Sequence, residues 1–165
     1  MNELKAVIQD VLNLSTEERA TYMTQHGDVL LEDMLMNIGS PDEMLRDQAI
    51  YSLFMELLVS NQLLKDTMEQ LVCKLATDDY LFYGIGTHMD DSVFTRSYAA
   101  LWLAGLLRID MMQSYLSEEA KEQLYNKATQ FLQREKDVRG YVDGKGWANA
   151  ISHIADLLAL MIRHD

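Results

Sequence analysis

Thr95–Leu107 reads TRSYAALWLAGLL, and its reading decides the fold. Two other stretches align with it: LRDQAIYSLFMELL from Leu45 and GWANAISHIADLL from Gly146. Arg46 and Arg96 then share a slot. Ala49, Ala99 and Ala150 share another, as do Leu53, Leu103 and Ile154, and Leu57, Leu107 and Leu158. A small residue followed by aliphatics at +4 and +8 is one buried helix face, and the small residue lets a neighbouring helix approach closely. The first two such helices are each followed by a second, near 61–76 and 117–134. The pattern predicts an all-α fold: a right-handed stack of antiparallel helix pairs, a HEAT-like α-α superhelix in a single domain over 1–165. An irregular helical bundle is the alternative, because any amphipathic helix rich in Ala and Leu aligns tolerably with another.

Helix signals extend outward from there. Pro41 is the only proline, and strand-like alternation is absent. Ser15 with Glu18, and Ser40 with Pro41 and Glu43, read as capping boxes, and Ser117 starts a helix with two carboxylates in its first turn. The predicted helices lie near 2–14, 16–24, 28–38, 41–59, 61–76, 92–108, 117–134 and 147–163, with a short turn at 109–115. The eleven methionines are scattered rather than striped, which suits gap-filling between helices. Cys73, at an apolar helical position, reads as a small core residue.

The formal net charge is −12. Duplex binding needs a basic face to release counterions from phosphates. The densest basic stretch, Leu132–Arg139, is diluted by Glu135 and Asp137. Nucleic acid and anionic membrane are therefore excluded as expected partners. A lone cysteine cannot form an internal disulfide, which fits a reducing compartment. The first residues lack the basic and apolar regions of a signal peptide, and no run of 18 apolar residues occurs. The expected location is the cytoplasm.

In the stacked reading two loops occupy equivalent places, 78–91 and 137–147, along one edge. Asp78–Gly146 holds five of the eight glycines within these two segments, with three tyrosines and six aspartates. Loops on a rigid scaffold commonly carry binding residues. Asp91 or Ser92 is the natural N-cap of the helix that follows. Trp147 reads as an anchor beneath the second loop. Arg139 and Tyr141 are expected to face Tyr83, Asp90 and Asp91, with Arg96 joining the same aspartates. His153 and Asp156 stand at i, i+3 on the last helix and Asn149 one turn before His153, a spacing that puts the three on one face. No nucleophile elbow, paired-cysteine, zinc-protease, dinucleotide or phosphate-loop motif occurs.

The stretches DDYLFYGIG, DDSVFTRSYAALWLAGLL and KDVRGYVDGKGWANAISHIADLL resemble the bacterial family called domain of unknown function 2785, from about Met34 to the end. The family pattern reads Gly-Trp-Ala-His and then Ala-x-Ala-His-Gly-Ala-Asp. Here Asn149 stands at the first histidine position, His153 at the second, Ile154 at the glycine and Asp156 at the aspartate. The resemblance implies an all-helical fold and an interesting surface near the last helix, with no established activity. A paired-histidine ligand set is broken in this sequence.

The leading expectation is a non-enzymatic helical-repeat module that binds a protein, peptide or small ligand at the edge formed by loops 78–91 and 137–147. Its candidate residues are Tyr83, His88, Asp91, Arg96, Arg139, Tyr141, Trp147, Asn149, His153 and Asp156. The alternative is a metal-dependent or acid/base enzyme that uses His153 and Asp156 with His88 and Asp91. No cofactor is expected.

Overall fold

The computed structural model describes residues 3–164. Asn2, placed in the first expected helix, lies outside them. The chain runs α1 (Glu3–Asn13), α2 (Thr16–Met36), α3 (Glu43–Leu45), a π-helical turn (Arg46–Tyr51), α4 (Ser52–Val59), α5 (Lys65–Leu75), α6 (Ser92–Gln113), α7 (Glu118–Arg134), a hairpin of β1 (Tyr141–Val142) and β2 (Gly146–Trp147), and α8 (Ala150–His164). The described chain is mostly helical, as expected. No helix among the described residues is long and apolar enough to cross a membrane.

Local chemistry explains where the helices begin. Ser15 accepts from the Glu18 N–H while the Glu18 carboxylate accepts back, so the expected capping box forms. Ser117 accepts from the Ala120 N–H, and Glu118 and Glu119 occupy the first turn. The start near Ser40 differs. Asp42 is the N-cap and accepts from the Met44 N–H at 2.9 Å. Ser40 Oγ takes the Asp42 N–H instead, and Pro41 lies before the helix. Residues 24–28 do not break α2, because Gly27 packs inside it. The separate turn expected at 109–115 is absent too: α6 continues to Gln113 and ends at left-handed Ser114.

The aligned positions are core positions. Ala49, Ala99 and Ala150 are buried, as are Leu53, Leu103, Ile154, Leu57 and Leu107. Leu158 is only partly buried, and Leu157 fills that slot. Phe54 and Trp102 stack between α4 and α6 with centroids 3.8 Å apart and planes 4° apart. The long α6 packs most extensively against α8 and also meets α4 and α5, while α7 meets α5 and α8. At Gly39 the chain approaches α6 so closely that a Cβ would lie 2.7 Å from the Thr95 backbone nitrogen. Cys73 is exposed, so its reading as a core residue was wrong: its position on α5 faces outward beside Met68, Leu71, Val72 and Leu75, which are buried.

Candidate functional site

The two loops meet, and their charged groups hold them together. Asp137 sits buried at the centre. Arg139 Nε lies 2.9 and 3.0 Å from its two oxygens, and Nη2 lies 2.6 Å from Oδ2. The same carboxylate accepts the Met89 N–H from the other loop at 3.2 Å. Arg139 Nη2 also donates to the Asp90 carbonyl at 2.5 Å. Lys145 Nζ reaches both Asp91 oxygens at 2.7 Å. Burial pushes the Asp137 carboxyl up, but the Arg139 bonds and charge and the Met89 N–H outweigh that and hold it below the usual carboxylate range.

Arg96 anchors the edge from beneath, with a different partner from the one expected. Its side chain is fully buried against the equally buried Glu135, with Nε···Oε2 at 2.6 Å and Nη2···Oε1 at 3.0 Å. Nη1 donates to the carbonyls of Tyr83 and Gly84 and to Ser92 Oγ. The desolvated guanidinium takes the carboxylate that shares its dry site, while Asp90 and Asp91 stay at the wet rim. Neither expected N-cap residue caps α6 with its side chain. Asp90 accepts from the Ser92 N–H at 2.9 Å, and Asp91 is engaged with Lys145.

Arg46, the repeat partner of Arg96, holds the hairpin. It is fully buried between Phe94 and Tyr98, 4.2 and 4.9 Å from their centroids. Its Nη1 and Nη2 donate to the carbonyls of Ser40 and Lys145 at 2.6 and 2.7 Å. The hairpin pairs Tyr141 with Trp147 and Val142 with Gly146. Gly144 and Gly146 adopt φ of +72° and +83°. A Cβ on Gly146 would press on the Glu43 carboxylate, so glycine is needed there twice over.

What the loops leave exposed is aromatic. Tyr141 and Trp147 are each about half exposed and meet edge to face, centroids 5.3 Å apart at 79°. Trp147 is therefore no buried anchor; Arg46 does the anchoring. Tyr141 pairs with Trp147 rather than with Tyr83, which lines a cleft with Pro41, Tyr80 and Thr95. Exposed Met89 and Val138 lie in the same two loops. His88 is exposed.

The last helix divides the remaining candidates. Asn149 has φ +54° and lies before α8, so it does not share a helical face with His153 and Asp156. His153 is half-buried, with Nδ1 2.8 Å from Ser97 Oγ. Asp156 is exposed. Among the described residues no three His, Cys, Asp or Glu side chains are arranged to share a metal ion, so His88, Asp91, His153 and Asp156 form no such set.

A family model described as a protein of unknown function (DUF2785) matches residues 81–165. The chain belongs to that family. The matched half of this DUF2785 member begins at Leu81 and contains the first loop from that residue on, the second loop with its hairpin, α6, α7 and α8. No curated protein and no solved structure matches.

Proposed function

We propose that this DUF2785 protein is a non-enzymatic binding module, a HEAT-like stack of helix pairs in one domain, that recognises a protein or peptide segment at the loop edge. The observation that carries the reading is the half-exposed Tyr141–Trp147 pair on a hairpin pinned by Arg46 and Lys145. Rigid exposed aromatics give large contact area at low entropic cost and are enriched where proteins bind proteins. Arg139 and Lys145 beside them are engaged with Asp137 and Asp91, which leaves the rings and the turn residue Asp143 as the available contacts. The packing of α4, α6 and α8 in succession, with α5 and α7 following alongside, supports the stacked-pair architecture. The exposed, unpaired Cys73 fits a reducing cytoplasm.

A random-peptide display selection tests the reading. Peptides selected on the native chain are expected to lose at least about tenfold in affinity for the Tyr141→Ala/Trp147→Ala double variant, as hot-spot rings do. The same peptides should bind a Val29→Ala variant on α2 normally. Selected peptides that bind the hairpin variant unchanged would refute the assignment.

A further inference from the structure

A different face lies where the π-helical turn, α6 and α8 meet, and it carries an oriented acceptor. His153 Nδ1 is 2.8 Å from Ser97 Oγ and 3.2 Å from the Ser97 carbonyl. Ser97 is buried, and its hydroxyl donates its one proton to the Ala148 carbonyl. A carbonyl only accepts, and a hydroxyl that has spent its proton only accepts. Both neighbours therefore require a proton on Nδ1. The imidazole is held in one tautomer, with the lone pair on Nε2, and Nε2 has no hydrogen-bond partner among the described residues. Burial lowers the His153 pKa, against the smaller upward pulls of the Ser97 carbonyl, Asp156 and Asp47, which favours the neutral ring.

Two tyrosine rings extend out from the His153 imidazole, and two carboxylates lie near enough to act on it electrostatically. Tyr98 stands edge-on to His153 with centroids 5.8 Å apart, and Tyr51 stands edge-on to Tyr98 at 6.2 Å. Asp47, on the π-helical turn, and Asp156, on α8, both act electrostatically on His153 and on Tyr51. Neither carboxylate forms an ion pair among the described residues. The cations nearby are Arg108, felt at Tyr51, and Arg46, which is buried against Tyr98. The π-helical turn that carries Asp47 and Tyr51 is a rare geometry that occurs frequently at functional sites.

We propose that this face binds the protonated end of an amine or guanidine, with His153 Nε2 accepting one N–H and Asp47 and Asp156 supplying the charge. An anion would meet two carboxylates and a lone pair. A metal ion would need three ligands in a shared sphere, which these groups do not offer. An organic cation with N–H donors matches both the acceptors and the rings. The cation is either a free small amine or a basic side chain in a peptide. The site does not rest on the hairpin reading, and the Tyr141→Ala/Trp147→Ala variant should bind the same probes unchanged.

Two measurements test it. Long-range proton–nitrogen NMR should show the Nδ1–H tautomer of His153, with the Nε2 resonance moving as agmatine is added. Calorimetric titration should give saturable binding of agmatine or of a blocked Gly-Arg-Gly peptide, the tighter of the two identifying the source. Tetramethylammonium, which has no N–H, should bind at least about tenfold more weakly, as should the better probe to Asp47→Asn/Asp156→Asn. An Nε2–H tautomer, no saturable binding of either probe, equal binding of tetramethylammonium, or unchanged affinity in the double variant would each overturn the proposal.

Discussion

Replacing Glu135 with alanine removes one carboxylate and leaves four donors without it. Its oxygens accept from Arg96 Nε and Nη2 and from the backbone N–H groups of Lys136 and Asp137. The arginine left behind has a fully buried side chain and keeps only two carbonyls and Ser92 Oγ as partners. Breaking a buried pair from one side costs about 3–5 kcal/mol, because the remaining charge cannot return to water. For a chain of this length each kcal/mol lowers the melting temperature by about 2–4 °C, so Glu135→Ala should melt about 6–20 °C below the native chain. Urea denaturation supplies the free energy, and a double-mutant cycle with Arg96→Met separates the pair from the site. The double variant should recover part of the loss, since two apolar groups avoid the stranded charge. A loss below about 1 kcal/mol, or strictly additive losses, would refute the reasoning and show that water reaches the pair.

Ala99→Leu should cost about 1–3 kcal/mol in urea denaturation, because Ala99 is fully buried on α6. Trp102→Ala should cost about 3–5 kcal/mol, while Trp147→Ala should stay within about 1 kcal/mol, since Trp102 is buried against Phe54 and Trp147 is half exposed. The pH dependence has two components of the same sign. Asp137, lowered on folding, contributes stability above the ordinary carboxylate range that is lost as pH falls through its lower folded value. His153, also lowered, contributes stability above pH 6.5 that is lost as pH falls from there through its folded value. Melting temperatures of Asp137→Asn and His153→Asn between pH 8 and 4 should each flatten the corresponding part of the curve.

The helices were legible because their causes are local. Ser15 and Ser117 cap what they were expected to cap, and the alanines of the aligned stretches are buried because a small residue at that slot admits the next helix. Leu158 drifted from the pattern since the α8 core face is set by α6 and α7 together, and Leu157 points into it. The hairpin has a readable signal in the sequence: Asp143-Gly144 between Tyr141-Val142 and Gly146-Trp147 is a strong turn dipeptide with short flanking strands. Trp147 was then misplaced, because a cross-strand partner for Tyr141 is only visible once strands are assigned. Arg96 and Glu135 are 39 residues apart, and nothing local distinguishes Glu135 from the nearer aspartates; burial decides that pairing. The π-helical turn had no signal either, although Arg46 at the Arg96 slot hinted that both arginines point inward.

Amide hydrogen exchange on the native chain and on Arg139→Ala tests most directly whether the two loops form one rigid edge. The amides of Met89, Lys145, Ala148 and Asn149 donate to Asp137, Val142, Gly140 and Arg139 respectively. Each should exchange at least about tenfold more slowly than an open loop. In Arg139→Ala, exchange should rise in 78–91 and 137–147 together, while α6 keeps its protection. Unprotected exchange across 78–91 in the native chain, or an Arg139→Ala effect confined to 137–147, would contradict the account.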